Sequence, residues 1–343
     1  MREFAGRIAV VTGGGSGMGR ELVRQLVAEA CNVSMCDLAA EGMAETVRLC
    51  ETAGLPQGLR VTTHIVDVSD FAQMERFRAE VTDRHATDRI HLLFNNAGIG
   101  GGGSLIVNSC EEWERTFNVC WGSVYNGTRA FLPLLLKAEE GHIVNTSSVN
   151  GFWASIGPHL PQTAYAAAKF AVKGFTEALI TDLRINAPHI KCSVVMPGHI
   201  GTSIPLNTRK VQSGNQADAM DATQLAQARA RFASMGRDAS TMSDDDIRQR
   251  VAERERRFRE EAPTSAARLW LSPIRTKPTK GIVTATRSFR THSGRNARGT
   301  ESLQTPRWRK PDSNHRFPRE AASILLISVL VRADFSACRE SSK

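Results

Sequence analysis

The sequence has no paired or clustered cysteines. Its seven cysteines, at positions 31, 36, 50, 110, 120, 192 and 338, form neither a C-x-x-C pair nor a Cys/His cluster. An odd, scattered set argues against both a zinc site and a disulfide framework. We therefore expect no metal, and we interpret these cysteines as small buried apolar residues in a reducing compartment.

A long apolar segment is also missing. The longest apolar run, residues 324–331, is interrupted by a serine. A membrane-spanning helix needs roughly 20 apolar residues, so this run is too short. No signal-like segment precedes Arg7–Val11, which already has the pattern of a strand. These absences predict a cytoplasmic protein with no membrane partner.

The chain has no net positive charge outside its C-terminal tail. Residues 264–343 carry 16 of the 44 lysines and arginines but only 5 of the 35 aspartates and glutamates. The remaining residues hold 28 basic and 30 acidic side chains, so the main body is close to neutral. A nucleic-acid-binding tail stays open as an alternative, because clustered basic residues attract phosphates. Since no recognisable reader fold is present, we do not expect nucleic acid as the main partner.

Short β-branched runs alternate with helical patterns over the first 196 residues. The strand-like runs are residues 7–12, 32–36, 61–66, 90–95, 142–146 and 190–196, and the helical patterns are residues 17–30, 40–53, 71–85, 111–137 and 163–186. Continuously apolar runs are typical of strands that are covered on both faces. The alternation predicts an α/β protein with a Rossmann-like doubly wound parallel sheet in a three-layer αβα arrangement.

The pattern changes after Pro197-Gly198. Residues 201–262 contain no convincing strand, and we predict a helical substrate lid that completes a catalytic domain of residues 1–263. Residues 264–343 mix Arg, Ser, Thr and Pro without a helical or strand period, although residues 281–286 and 323–331 are candidate strands. Two interpretations of this atypical basic tail stay open: a disordered extension, and translation in a shifted reading frame.

A glycine-rich turn follows the first strand and opens the first helix. Glycines at such a turn let the backbone approach a pyrophosphate, and the positive end of the following helix faces the phosphates. This context makes the motif specific for a dinucleotide. The candidate phosphate-binding residues are Gly13, Gly15, Ser16, Gly17, Met18 and Gly19.

Acidic and small residues follow the next strands. Asp37 ends the second strand and can accept both hydroxyls of an adenosine ribose, or it can cap the next helix. A carboxylate there repels a 2′-phosphate, which favours NAD over NADP. Asp67-Val68 is a candidate for adenine, with a loop or cap role as the alternative. Asn95, Ala97 and Gly98 follow the fourth strand, where small residues allow a ligand to approach.

Tyr165 and Lys169 stand four residues apart in a helical pattern, so they share one helix face. A tyrosine has a pKa near 10, which a neighbouring ammonium lowers by favouring the phenolate. A serine pair, Ser147-Ser148, precedes Tyr165 by seventeen to eighteen residues. A phenol, an amine and a hydroxyl beside a dinucleotide turn predict acid–base chemistry.

The combined motifs resemble the short-chain dehydrogenase/reductase family over roughly residues 5–202. The matching residues are Thr12–Gly19, Asp67, Asn95–Gly98, Asn118, Ser148, Tyr165-x-x-x-Lys169 and Pro197-Gly198-x-x-x-Thr202. The resemblance implies that Tyr165 is the acid–base residue, that Lys169 lowers its pKa and binds the nicotinamide ribose, and that Ser148 holds the substrate oxygen. It further implies that Asn118 kinks its helix and anchors a water, and that Thr202 holds the carboxamide with the backbone of Pro197, Gly198 and Ile200.

We therefore predict an NAD-dependent oxidoreductase that interconverts a secondary alcohol and a ketone or aldehyde, with Ser148, Trp153 and Tyr165 at the substrate. The open alternatives are an NADP-dependent carbonyl reductase of the same family and a scaffold that binds NAD without turnover. The resemblance also implies a homodimer or homotetramer built on the helices near residues 111–137 and 163–186.

Overall fold

The structure is a computed structural model. It describes residues 3–101, 103–106, 108–155, 161–214, 220–234, 238–239, 241–262, 264–265, 283–285 and 326–329.

Six parallel strands form the centre of the sheet: β1 (Ile8–Thr12), β2 (Asn32–Asp37), β3 (Val61–Ile65), β4 (Leu92–Asn95), β5 (Gly141–Thr146) and β6 (Ile190–Met196). They lie in the order β3-β2-β1-β4-β5-β6, and all neighbouring pairs among them are parallel. The chain adds strands toward one side of β1 up to β3 and toward the other side from β4 onward. A doubly wound sheet opens a crevice at this point, between β1 and β4. The predicted parallel doubly wound sheet is confirmed.

Helices connect these strands: α1 (Gly17–Ala28), α2 (Ala40–Thr52), α3 (Phe71–Arg84), α4 (Cys110–Phe117), α5 (Ser123–Leu135) and α6 (Thr163–Asn186). The single long helix predicted over residues 111–137 is interrupted, because a π-helical turn, Asn118–Gly122, separates α4 from α5. Such a turn inserts a residue into the helix and is frequent at functional sites.

Successive residues of the central strands face opposite layers of the molecule. Val10 belongs to a buried cluster with Phe77 and Phe131, on the side of α3 and α5. Its neighbour Val11 belongs to a second buried cluster with Leu26 of α1. Because side chains alternate across a strand, each face of the sheet carries its own core. The predicted three-layer arrangement is therefore confirmed.

Helices occupy the described part of the predicted lid. The short strand β7 (Ile200–Gly201) leads into α7 (Ile204–Ser213), α8 (Ala222–Ser234) and α9 (Asp244–Glu260), and β7 pairs with β8 (Thr264–Ser265). Leu225 and Phe232 of α8 pack with Ile247 of α9 in a small core of their own. The division into catalytic domain, lid and tail stays a prediction.

Two short strands of the tail extend the sheet. β10 (Leu326–Val329) pairs antiparallel with β6, and β9 (Val283–Ala285) pairs antiparallel with β10. Both lie within the candidate strands at residues 281–286 and 323–331, but their antiparallel pairing differs from the expected purely parallel sheet. An unpaired strand edge exposes backbone hydrogen-bonding groups, and these two segments cover that edge of β6. Most of residues 264–343 lie outside the described part of the chain, and both interpretations of the tail stay predictions.

Candidate functional site

The glycine-rich turn lies at the crevice between β1 and β4. Gly13 and Gly17 have φ angles of +72° and +52°, a backbone region that favours glycine. A Cβ on Gly13 would lie 3.0 Å from the Cα of Ala97, and a Cβ on Gly19 would overlap the carbonyl oxygen of Gly13. The turn is therefore close-packed backbone at the N-terminus of α1, where a phosphate is stabilised.

Asp37 contacts this turn directly. Its carboxylate accepts hydrogen bonds from the backbone N–H groups of Gly15, at 2.9 Å, and Ala39, at 3.1 Å. Ala39, and not Asp37, occupies the N-cap position of α2. The alternative role of Asp37 as a helix cap is thus unsupported, and its carboxylate lies at the edge of the phosphate turn.

Arg20 is a residue of this site that the sequence did not reveal. Its guanidinium donates to the carbonyl oxygen of Gly15 at 2.6 Å and to the hydroxyl of Thr46 at 3.1 Å. It thereby ties the turn to α2. The only sequence signal was its position one helical turn after Ser16, which does not by itself indicate a contact.

Asp67 is held by neighbours on two elements. One carboxylate oxygen accepts from the backbone and hydroxyl of Ser69, and the other forms an ion pair of 2.7 Å with Arg115 of α4. Burial raises the pKa of Asp67, but these hydrogen bonds and the ion pair outweigh burial and lower it. The carbonyl oxygen of the adjacent Val68 accepts from the Asn126 amide at 3.1 Å. Arg115 and Asn126 escaped notice because both partners are distant in sequence.

The residues after β4 close the other wall of the crevice. The hydroxyl of Thr12 accepts from the backbone N–H groups of Asn96 and Ala97, both at 3.0 Å. The buried amide of Asn95 donates to Asn145 on β5 at 2.8 Å. These contacts tie β4 to β5 and to the end of β1.

Ser148, Tyr165 and Lys169 come together where β5 ends and α6 begins. The phenol of Tyr165 shares a hydrogen bond with the Ser148 side chain. The Lys169 ammonium lies 5.6 Å from the centre of the Tyr165 ring and donates to the carbonyl oxygen of Thr146 at 2.9 Å. Ser147 instead donates to the backbone carbonyl of Lys169 at 2.7 Å. Of the serine pair, Ser148 is the one at the phenol.

Burial dominates the electrostatics of this cluster. It raises the pKa of the Tyr165 phenol, and the hydrogen bond from Ser148 opposes that rise only in part. It also lowers the pKa of the Lys169 ammonium. We expected Lys169 to lower the pKa of Tyr165. In the protein chain alone the desolvation of the phenol is the larger effect, because the charged form of a buried acid is disfavoured.

The π turn carries one exposed and one buried polar side chain. The turn does begin at Asn118, which agrees with the expected kink, but the residue is exposed. Two positions later the buried thiol of Cys120 donates to the carbonyl oxygen of Ile99 at 3.0 Å. A Cβ on Gly98 would lie 3.8 Å from this sulfur and 3.5 Å from the Lys169 nitrogen, so Cys120 borders the cluster. The expected role of Asn118 in anchoring a water stays a prediction.

Helix α7 lies across the crevice. The methyl of Thr202, just before it, would lie 3.0 Å from a Cβ on Gly17. The Asn207 amide donates to the Ser16 hydroxyl at 3.0 Å, and the Thr208 hydroxyl accepts from the backbone N–H of Gly100 at 2.7 Å. The helix thus contacts the glycine-rich turn on one side and the loop after β4 on the other.

The start of α7 is anchored to β5 by the segment that precedes it. The carbonyl oxygen of Pro197 accepts from the backbone N–H of Val149, and Ile200 is buried in the core on the α1 side of the sheet. Gly198 lies between them. Pro197 therefore contacts the turn after Ser148, and the role of these residues at the cofactor stays a prediction.

Trp153 follows Ser148 and the short helical turn Val149–Gly151. Its side chain is largely exposed and makes an edge-on contact with Phe152, with ring centres 4.9 Å apart. The loop is anchored by the amide of Asn150, which donates to the Gln162 side chain at 2.8 Å. Trp153 therefore lies three residues after Asn150, which ties this segment to the start of α6.

This fold and site define a dinucleotide-binding oxidoreductase. The chain belongs to the short-chain dehydrogenase family, because the family model described as short chain dehydrogenase matches residues 7–213. Meso-2,3-butanediol dehydrogenase of Serratia marcescens is a relative that is 36% identical over 189 residues. The match covers 54% of this chain and 70% of the relative.

Solved structures show the same fold. A short-chain dehydrogenase/reductase from Burkholderia phymatum in complex with NAD is 31% identical with a TM-score of 0.58, and the match covers 78% of this chain and 90% of that one. A metagenomic short-chain oxidoreductase in complex with NADP is 28% identical with a TM-score of 0.51, covering 63% and 94%. Members of the family thus bind NAD or NADP.

The described residues offer neither a membrane-spanning helix nor a metal site. No helix there is long and apolar enough to span a membrane. No group of three or more His, Cys, Asp and Glu side chains in that part of the chain could hold a metal ion.

Gly98→Ala tests whether the space beside Lys169 receives the cofactor. The new methyl would lie 3.5 Å from the Lys169 ammonium, an ordinary contact, so we expect the thermal unfolding midpoint to stay close to that of the wild type. Because the methyl fills space beside the ammonium, we expect the dissociation constant of NAD to rise about tenfold or more. Titration calorimetry measures it.

Gly174→Ala is the control. Gly174 lies on the same helix as Lys169, and a Cβ there would meet nothing within 4 Å. Wild-type affinity for NAD in Gly98→Ala would show that the cofactor does not use this space.

Proposed function

We propose that the chain is an NAD-dependent oxidoreductase that interconverts a secondary alcohol and a ketone or aldehyde, with Tyr165 as the acid–base residue. The observation that carries this proposal is the hydrogen-bonded Ser148–Tyr165 pair beside a buried Lys169, at the same sheet edge as the glycine-rich turn. The name of the Serratia relative, a dehydrogenase of a secondary diol, supports the same class of reaction.

The side chains have complementary tasks in this reaction. Ser148 donates to the substrate oxygen and orients it toward the phenol. During reduction Tyr165 gives its proton to that oxygen, and during oxidation its phenolate takes the proton from the hydroxyl. The ammonium of Lys169 stabilises the phenolate when it forms. Bound nicotinamide supplies the acceptor or donor of the hydride.

The raised pKa of Tyr165 affects the reduction of the carbonyl and the oxidation of the alcohol differently. At neutral pH the phenol holds its proton and is ready to act as an acid. Oxidation needs the phenolate, so its rate depends on whatever lowers that pKa in the complete site. Lys169 is the side chain placed to do so.

The crevice supports a dinucleotide with its parts in a definite order. The glycine-rich turn, whose packing leaves no room for a Cβ at Gly19, fits the pyrophosphate. Asp37 fits the adenosine ribose, and Asp67 with Val68 fits the adenine. Toward Tyr165, the candidates are Asn95, Ala97, Gly98, Lys169, Pro197, Gly198, Ile200 and Thr202.

NAD is the proposed cofactor because of Asp37. A carboxylate near a 2′-phosphate would cost roughly 1–4 kcal/mol, depending on the local dielectric. Arg20 lies nearby, but its guanidinium is already bonded to Gly15 and Thr46. An NADP-dependent carbonyl reductase and a scaffold that binds NAD without turnover are the alternatives.

The substrate that we propose has an apolar body. Leu105 and Ile106 are 75% and 95% exposed, and Phe152 and Trp153 are 46% and 55% exposed. Backbone Gly103 accepts from Thr163 at 3.0 Å, which holds the first pair of residues near the start of α6. We call these four side chains the apolar rim. Water-exposed apolar groups around a polar centre favour a substrate that covers them.

We also propose a homodimer or homotetramer as the working form. Tyr125 and Leu136, at α5, and Phe170 and Ile185, on α6, are exposed large apolar side chains. Exposed apolar groups on two neighbouring helices favour association with a second copy.

Tyr165→Phe tests the acid–base assignment. Removing the hydroxyl removes the proton donor and acceptor, so we expect kcat with NAD and a secondary alcohol to fall by about 100-fold or more. The appearance of reduced nicotinamide is followed by its absorbance. Tyr125→Phe is the matched control, since Tyr125 is the chain's other tyrosine and is exposed. Normal turnover in Tyr165→Phe would disprove the mechanism.

Asp37→Ser tests the cofactor preference. Without the carboxylate we expect kcat/KM to fall for NAD and to rise for NADP, so that their ratio shifts by about tenfold or more toward NADP. The exposed Asp88, before β4 at the opposite sheet edge, provides the control variant Asp88→Ser. An unchanged ratio in Asp37→Ser would place the ribose elsewhere.

A series of secondary alcohols of increasing chain length tests the apolar rim. Each methylene that the rim covers should raise kcat/KM by up to about fourfold. Trp153→Ser and Ile106→Ser should flatten this dependence and leave the shortest alcohol within about twofold of the wild type. Ile65→Ser, exposed on the outer strand β3, is the control. Equal losses for short and long alcohols would argue against the rim.

A further inference from the structure

The π turn directs one thiol into the cluster of Tyr165 and Lys169. Cys120 is fully buried, although it belongs to a turn that begins with the exposed Asn118. Its thiol donates to the carbonyl oxygen of Ile99 at 3.0 Å. The contact joins the kinked helix to the loop after β4, two elements that line the crevice.

Gly98 lies between the thiol and the ammonium. A Cβ on Gly98 would be 3.5 Å from the nitrogen of Lys169 and 3.8 Å from the sulfur of Cys120. Both groups therefore reach van der Waals distance of the same point. The thiol borders the space next to Lys169 from one side, and the ammonium borders it from the other.

Charge supports a neutral role for this thiol. Burial raises the pKa of Cys120, so the sulfur holds its proton near neutral pH and remains a donor to Ile99. A thiolate here would raise the pKa of Tyr165, because the two negative charges repel each other. A protonated thiol avoids that effect and still fixes the loop.

We propose that Cys120 is a positioning residue of the catalytic centre, whose bond to Ile99 holds the loop around Gly98 against Lys169 and so sets the ammonium relative to Tyr165. The proposal on catalysis rests on the proposed function, whereas the proposed arrangement of the side chains does not.

Cys120→Val and Cys120→Ser separate the donor from the volume. Valine has a similar volume and no donor, so the carbonyl of Ile99 loses its partner, while serine keeps a donor. With NAD and a secondary alcohol, we expect kcat of Cys120→Val to fall about tenfold, with the KM for NAD within twofold of wild type and an altered pH profile. Serine should restore most of kcat and the wild-type profile.

Cys192→Val is the matched control, because Cys192 is a buried cysteine of β6 outside this cluster. It should change thermal stability alone. Wild-type kcat and pH profile in Cys120→Val would overturn the proposal, as would equal kinetic losses in the valine and serine variants.

A spectroscopic measurement tests the arrangement around Cys120 without relying on the proposed enzymatic activity. The chain has two tyrosines, so Tyr125→Phe leaves Tyr165 as the single source of a tyrosine ring-carbon signal in isotope-labelled protein. Cys120→Val should move that signal and Cys192→Val should not. A moved signal in a protein without turnover would support the arrangement and refute the proposed function. An unmoved signal in an active enzyme would overturn the proposal on Cys120 alone.

Discussion

The attachment of Lys169 to the end of β5 is the constraint on which the site depends. Its ammonium donates to the carbonyl of Thr146, and its own carbonyl accepts from the hydroxyl of Ser147. Both bonds are buried, so breaking either would leave a polar group without a partner at a cost of about 1–3 kcal/mol. They fix α6 in position and rotation on the sheet. Tyr165 and Ser148 meet because of that.

A glycine makes this attachment possible. A Cβ on Gly151 would overlap the hydroxyl of Ser147 and would lie 2.6 Å from the carbonyl oxygen of Lys169. The same principle operates at the phosphate turn, where Gly19 approaches the backbone of Gly13. The missing side chain thus serves two purposes. At Gly151 it lets α6 pack closely against the end of β5, and at Gly19 it leaves the backbone of the glycine-rich turn uncovered.

Much of the fold and part of the site followed from the sequence. The six parallel strands were predictable because continuous apolar runs alternate with helical periods. The Tyr165–Lys169 spacing and the glycine-rich turn are local patterns, so they too were readable. Contacts such as Arg20 with Gly15, and Arg115 with Asp67, join residues that no local period relates. Residues 323–331 were a candidate strand, but the antiparallel pairing of β10 with β6 could not be predicted, since the two strands lie far apart along the chain.

The inward direction of Cys120 has a geometric cause. An α-helical period assigns a face to each residue at 3.6 per turn, but a π turn adds a residue and rotates everything after it. A helical wheel drawn through residues 111–137 therefore assigns the wrong faces beyond the turn. The rise in the pKa of Tyr165 on burial could not be predicted from the sequence either. The spacing of Tyr165 and Lys169 indicates how close the two groups are, but it does not show how much water surrounds them.

Helix α7 has a consequence for exchange with solvent. Asn207 and Thr208 join it to opposite walls of the crevice, and Arg209 pairs with Glu255 of α9 on its other side. Anything that passes between α7 and the phosphate turn must first separate these contacts. Access is therefore governed by a local opening equilibrium with its own free energy, distinct from that of global unfolding. Changes on α9, far from any reacting atom, would then alter residence times without touching the chemistry.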